Sequence, residues 1–110
     1  MSRLLTLLIV TLMVAAVAAT GQQTVDFRGR VIDADTNGGI ENLEVKFTPP
    51  RGATAAIRVV TTDRNGEFAF PRLLRVRYLV QVSQGVNLLY RAELDATTAD
   101  RLDVRLRRKR

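Results

Sequence analysis

The sequence holds no cysteine, no histidine and no tryptophan in 110 residues. Without cysteine there is no disulfide to staple a small domain, no thiolate nucleophile and no acylated first residue of a lipoprotein. Without histidine the commonest general base and metal ligand is gone. Without tryptophan, and with four phenylalanines and two tyrosines, flat aromatic platforms for sugars are scarce. Past the first twenty residues Ser83 is the one serine, set in a turn-like "SQG" with no imidazole to activate it. Carboxylate pairs are the remaining acid–base chemistry. Asp33 with Asp35, and Asp95 with Asp100, are turn acids in exposed loops, and nothing in the sequence suggests a concave site around them. The composition argues against catalysis and calls for no cofactor.

What is present begins with "MSRLLTLLIVTLMVAAVAATG": one positive charge at Arg3, a charge-free run from Leu4 to Gly21, and small residues at its end. That is the three-part layout of a secretory signal peptide over residues 1–21, with small-residue cleavage sites at Val17 to Ala19 and Ala19 to Gly21. Its strongly apolar part, Leu4 to Val14, is shorter than the ~20 residues of a spanning helix. No second apolar run follows. The expectation is a secreted or periplasmic protein with no transmembrane segment after cleavage, and one domain over residues 22–110 that stands on its core alone.

The charge is +6, and loss of Arg3 leaves 16 basic against 11 acidic residues, or +5. The basic residues are nearly all arginine. They gather at Arg72, Arg75 and Arg77, and in a basic tail from about residue 107 that follows Arg105 and contains Arg107, Arg108, Lys109 and Arg110. Such clusters attract anions weakly and in a salt-dependent way. For an exported chain the anions are lipid head groups or acidic glycans rather than nucleic acid, and a solvated, soluble terminus is the plainer reading of the tail.

Apolar residues recur with period two. "VDFRGRVID" puts Val25, Phe27 and Val31 on one face and Asp26, Arg28 and Arg30 on the other. "NLEVKFT" alternates Leu43, Val45 and Phe47 with Glu44 and Lys46. "PPRGATA" ends that strand. "AIRVVTT" offers Ile57 and Val59 inward with Arg58 outward, "DRNG" is a turn in which Asn65 and Gly66 take positive φ, and "EFAF" returns with Phe68 and Phe70. "RYLVQVS" aligns Tyr78, Val80 and Val82; "NLLYRAELD" and "RLDVRLR" complete the set, with Leu102, Val104 and Leu106 on one face and "TTAD" a turn between them. Seven strands joined by Gly, Asp and Asn turns predict an all-β fold: two antiparallel sheets packed face to face as a sandwich.

Residues 33–44, "DADTNGGIENLE", also satisfy the pattern of an EF-hand calcium loop, with Asp33, Asp35, Asn37 and Glu44 as candidate ligands. Such a loop needs a helix on each side. Here Glu44 lies inside an alternating strand, and Pro49 and Pro50 close the segment, so neither flank is helical.

A resemblance gives the better account. "FRGRVIDADTNGGIENLEVKF" resembles the opening of a carboxypeptidase regulatory-like domain, "TTDRNGEFAFPRL" its acid-x-Asn-Gly turn and Phe-x-Phe strand, "YLVQVSQG" the strand after it and "RLDVRLR" the closing strand. The resemblance implies a prealbumin-like, or transthyretin-like, Greek-key sandwich close to starch-binding domains. In that frame Asp33 and Asp35 accept hydrogen bonds in a hairpin turn and Gly38 or Gly39 takes the unusual dihedral. Where the family has a glycine two residues before the tyrosine, this chain has Val76, which implies a remodelled turn. The histidine-dependent hydrolase known on the transthyretin-like fold cannot be carried over, and metallocarboxypeptidases keep their catalytic residues in another domain. The resemblance therefore implies a noncatalytic structural or protein-interaction module of the cell envelope. The alternatives are a carbohydrate-binding module, with Tyr90 the one ring not assigned to the core, and a calcium-binding protein.

Overall fold

A computed structural model describes residues 23–107; the expected signal peptide and the tail residues Arg108, Lys109 and Arg110 lie outside the described residues. Seven strands follow one another: β1 (Thr24–Asp33), β2 (Glu44–Thr48), β3 (Arg58–Thr61), β4 (Glu67–Leu74), β5 (Arg77–Gln84), β6 (Asn87–Asp95) and β7 (Arg101–Leu106). They form a three-stranded sheet, β4-β1-β7, and a four-stranded sheet, β3-β2-β5-β6. Period-two alternation turns one face of each sheet inward, and the two faces bury each other.

One pairing departs from the antiparallel expectation. β7 runs parallel to β1, with Gly29 opposite Leu102 and Val31 opposite Val104, while the other pairs are antiparallel. Every connection reverses the chain, so odd-numbered strands share one direction and even-numbered strands the other. β1 and β7 are both odd and lie side by side. The turns after β1, β3 and β5 therefore cluster at one end of the sandwich, and those after β2, β4 and β6 at the other.

The core is a cluster of rings. Phe47, from the four-stranded sheet, is fully buried and meets Phe27 at 5.3 Å, Phe70 at 4.6 Å, Phe68 at 6.3 Å and Tyr78 at 5.5 Å between centroids. Phe27, Phe68 and Phe70 belong to the facing sheet. Tilted and edge-on contacts of this kind add to the apolar area buried. Val31, Val45, Val80, Val82, Leu43, Leu73 and Val104 fill the space around them.

β3 takes the opposite phase from that expected. Val60 packs on the core while Ile57 and Val59 are exposed. Apolar residues on both faces of "IRVV" left the choice to Thr62, which is buried. Its hydroxyl donates to the Ile40 carbonyl at 2.7 Å and accepts from the Leu43 N–H at 3.0 Å. With Thr62 inward, Val60 and Arg58 must point the same way. β4 also runs on past Phe70 to Leu74. The register against β1 slips between Val25 and Phe27, where Arg72 takes φ 54° and donates its N–H to the Asp26 carboxylate. Pro71 is accommodated because β4 is an edge strand at a bulge. Val76 is partly buried against the core and closes the turn into β5.

In the first turn Asp33 accepts from the Asp35 N–H at 2.8 Å, as expected, but the positive φ falls on Asn37 at 61°, not on Gly38 or Gly39. In the β3–β4 turn Asp63 accepts from the Asn65 and Glu67 N–H groups, and Gly66 alone, not Asn65, takes positive φ. Gly39 has a different task. A Cβ there would lie 1.9 Å from the Asn65 carbonyl oxygen, and one on Gly66 2.2 Å from that of Val31. The two turns stack backbone on backbone. Gly39→Ala is expected to cost more than about 1 kcal/mol and lower the thermal midpoint. Gly38→Ala, whose methyl meets nothing closer than Thr36 Oγ1 at 3.4 Å, should stay within about 0.5 kcal/mol of the parent; paired thermal melts test the difference.

Candidate functional site

The two long sides of the sandwich are unlike. On one side Arg58 of β3 lies 5.6 Å over the Phe70 ring and donates to the Pro71 carbonyl at 2.9 Å and the Arg72 carbonyl at 3.4 Å. The guanidinium thus ties the edge of one sheet to the edge of the other. On the opposite side, among the described residues, no hydrogen bond or ion pair joins β6 to β7. A groove of about 680 Å³ lies there, lined by Leu88, Leu89 and Tyr90 from β6, Arg105 and Leu106 from β7, and Arg107 just after it.

β6 is also a sheet edge. It pairs with β5 on one side, so the backbone N–H and C=O groups of its other side form an open row. The hairpin before it turns on two residues with Gly85 at φ 59°, the geometry of a primed turn, and places Val86 fully in solvent. The register slips between Val82 and Ser83, opposite Leu88 and Leu89, which are 53% and 39% exposed. Apolar side chains next to an unpaired edge are a more informative surface than single exposed leucines. Tyr90 is half-buried against the core. Among the described residues no aromatic ring stands out as a platform for sugars.

The arginine clusters singled out from the sequence do not converge. Arg72, Arg75 and Arg77 sit at the end holding the β4–β5 turn, and Arg105 and Arg107 at the other end, because β7 ends beside the end of β1. Several are occupied. Arg75 donates to the Ala96 and Thr97 carbonyls at 3.3 and 3.4 Å, and Arg77 meets Asp95 at 3.8 Å in an exposed pair worth little by itself. A third group is visible only in the fold. Arg28, Arg30, Arg101 and Arg105 share the outer face of the three-stranded sheet with Glu67 and Asp103. Alternation alone turned Arg28 and Arg30 outward, but only the parallel pairing sets Arg101 opposite Arg28.

The loop with the calcium pattern is a hairpin turn whose oxygens face arginine. Arg105 donates to Asn37 Oδ1 at 2.9 Å, Arg107 stands 3.8 Å from Asp35, and Glu44 is on β2 opposite Thr61 and Ser83. Among the described residues no group of three or more acids is placed to hold a metal ion. Millimolar calcium is expected to leave the thermal midpoint unmoved, since a ligand stabilises only by binding the folded state; a rise with calcium that is lost in Asp33→Asn would overturn this.

Two titrating groups sit at the β4–β5 end. Burial pushes the Tyr78 hydroxyl above its ordinary 10.0, against a smaller opposing pull from Arg58, and that hydroxyl donates to the Leu74 carbonyl at 2.7 Å. Asp95 is held below its ordinary 3.8, chiefly by the Thr97 hydroxyl, then by the Thr97 N–H, with Arg77 a lesser help. A depressed folded pKa means that the stabilisation is fully present above the unfolded value and is lost as pH falls through the folded one. Thermal melts from neutral pH downward should show an acid-side loss below about 3.8 that is smaller in Asp95→Asn.

A comparison with curated proteins gives no match. The carboxypeptidase regulatory-like domain matches residues 26–107, from the second residue past Thr24 in β1 to the residue after β7. With the sandwich in place and the acid-x-Asn-Gly turn leading into the Phe68 and Phe70 strand, the chain belongs to the carboxypeptidase regulatory-like domain family, whose members are noncatalytic modules.

Proposed function

We propose that this protein is a noncatalytic interaction module exported to the cell envelope, and that it takes a partner protein along the free edge of β6. The observation that carries this reading is the asymmetry of the sandwich. Arg58 closes the β3–β4 side, whereas the β6–β7 side keeps an unpaired strand, a groove and the exposed Val86, Leu88 and Leu89 together. Added strands gain backbone hydrogen bonds along such an edge and side-chain specificity from neighbouring hollows. The signal-like leader supports export, and the absence of histidine and cysteine supports a role without catalysis. The net positive charge adds a salt-dependent attraction to anionic head groups or acidic glycans that brings the module to the envelope surface.

The test places a photo-crosslinking residue at Leu88 in cells producing the full chain, with Arg28 on the far sheet as control. The expected result is an envelope-fraction adduct from position 88 and none from position 28. Equal labelling from both positions, or recovery in the cytosol alone, overturns the reading.

A further inference from the structure

We propose that the partner of the β6 edge is β6 of a second copy of this chain, paired antiparallel about a twofold axis at Ala92. This inference rests on the reading of β6 as the interaction edge and adds the identity of its occupant.

The four sheet edges differ in protection. β3 has four residues and is tied to β4 through Arg58. β4 carries Pro71 and a bulge. β7 has six residues, with Arg101, Asp103 and Arg105 on its outer face. Short strands, proline and bulges are among the usual protections of a sheet edge. β6 has nine residues and no proline, and its irregularity is confined to its start. It is the long edge left without these protections.

Charge complementarity within the strand's own sequence selects the register. An axis perpendicular to the sheet keeps each face on its own side, so residues pair symmetrically about one central residue. With Ala92 at the centre, Arg91 of each copy faces Glu93 of the other, and Tyr90 faces Leu94 of the other. Arg91 and Glu93 are exposed and lie on the outer face of the sheet, where their partners across β5 are the uncharged Gln81 and Leu79. Tyr90, Ala92 and Leu94 are half-buried on the inner face. Moving the centre to Arg91 sets two arginines directly opposite each other, and moving it to Glu93 sets two glutamates opposite; like charges there oppose pairing. Ala92, the small residue, is the centre at which opposite charges meet on one face and apolar groups on the other. The result is a continuous eight-stranded sheet across two copies, with the exposed Leu88 and Leu89 of each copy beside the ends of the paired stretch.

Both charged residues are exposed and face no charged residue directly across β5, so exchanging them should leave the fold intact. Sedimentation of protein purified from cells producing the full chain should show a concentration-dependent dimer. Arg91→Glu sets a carboxylate opposite Glu93 of the other copy at both cross-strand pairs and is expected to weaken dimerisation about tenfold or more; Glu93→Arg does the same with two arginines. Mixed together, the two variants should form a one-to-one heterodimer, because every cross-strand pair is then opposite in charge. A second readout uses the chain's lack of cysteine: Ala92→Cys should be joined to its own copy by a short bifunctional maleimide, while Arg28→Cys should not.

A monomer at all concentrations, or a dimer indifferent to both charge reversals with no heterodimer on mixing, overturns the proposal. If the position-88 adduct then has the mass of the chain plus a different protein, the edge is still the interaction site and only its occupant is wrong. If no adduct forms either, the edge reading fails with it.

Discussion

The sandwich depends on the contact between Phe47 and the rings of the facing sheet. Phe47 reaches Phe27, Phe68 and Phe70 across the interface and Tyr78 beside it. No disulfide is available to hold the sheets together. Truncating a buried phenylalanine costs about 3–5 kcal/mol, a large share of the roughly 5–15 kcal/mol that a domain commonly has. The ring cluster also sets orientation, since β1, β2, β4 and β5 must all present an aromatic side chain to the same volume. Of the four edge strands only β4 contributes rings to it; β3, β6 and β7 contribute none.

Arginine serves this fold in two ways. Arg58 and Arg75 use a planar fork to satisfy main-chain carbonyls at turns and strand ends, and the Arg58 fork also stacks on a ring. A lysine cannot reproduce that geometry, which gives a physical sense to a chain with fifteen arginines and two lysines. Among the described residues the remaining guanidinium groups are spread over the outer faces of both sheets and both ends, and carboxylates among them dilute the positive field. The basic surface is thus diffuse, and the local feature that departs from a well-finished sandwich is the β6 edge.

Most of the architecture was legible because alternation of apolar residues reports directly on which face is buried. The strands of "NLEVKFT", "RYLVQVS" and "RLDVRLR" lie where their periodicity put them. β3 was not legible, because Ile57 to Val60 is apolar on both faces and its phase is set by a single hydroxyl nineteen to twenty-two residues away in sequence from its partners. The bulge at Pro71 hid the second half of β4. For the site, the sequence identified arginines by number but not by place: whether Arg101 stands beside Arg28 depends on a pairing between the first and last strands. The open edge had no local signature either, since any of the seven strands was an equal candidate for an edge until the sheet order was known.

That pairing of β1 with β7 has a kinetic consequence. The three-stranded sheet cannot be completed until the last strand has been found by the first, across some seventy residues of intervening chain. Contacts so distant in sequence require loop closure before any reward from pairing. Folding of this domain therefore belongs to the slow class of all-β topologies, and its sheets close late. A chain that emerges from its amino end keeps β1 without its last neighbour until β7 arrives, and stays extended for longer than a protein whose contacts are local.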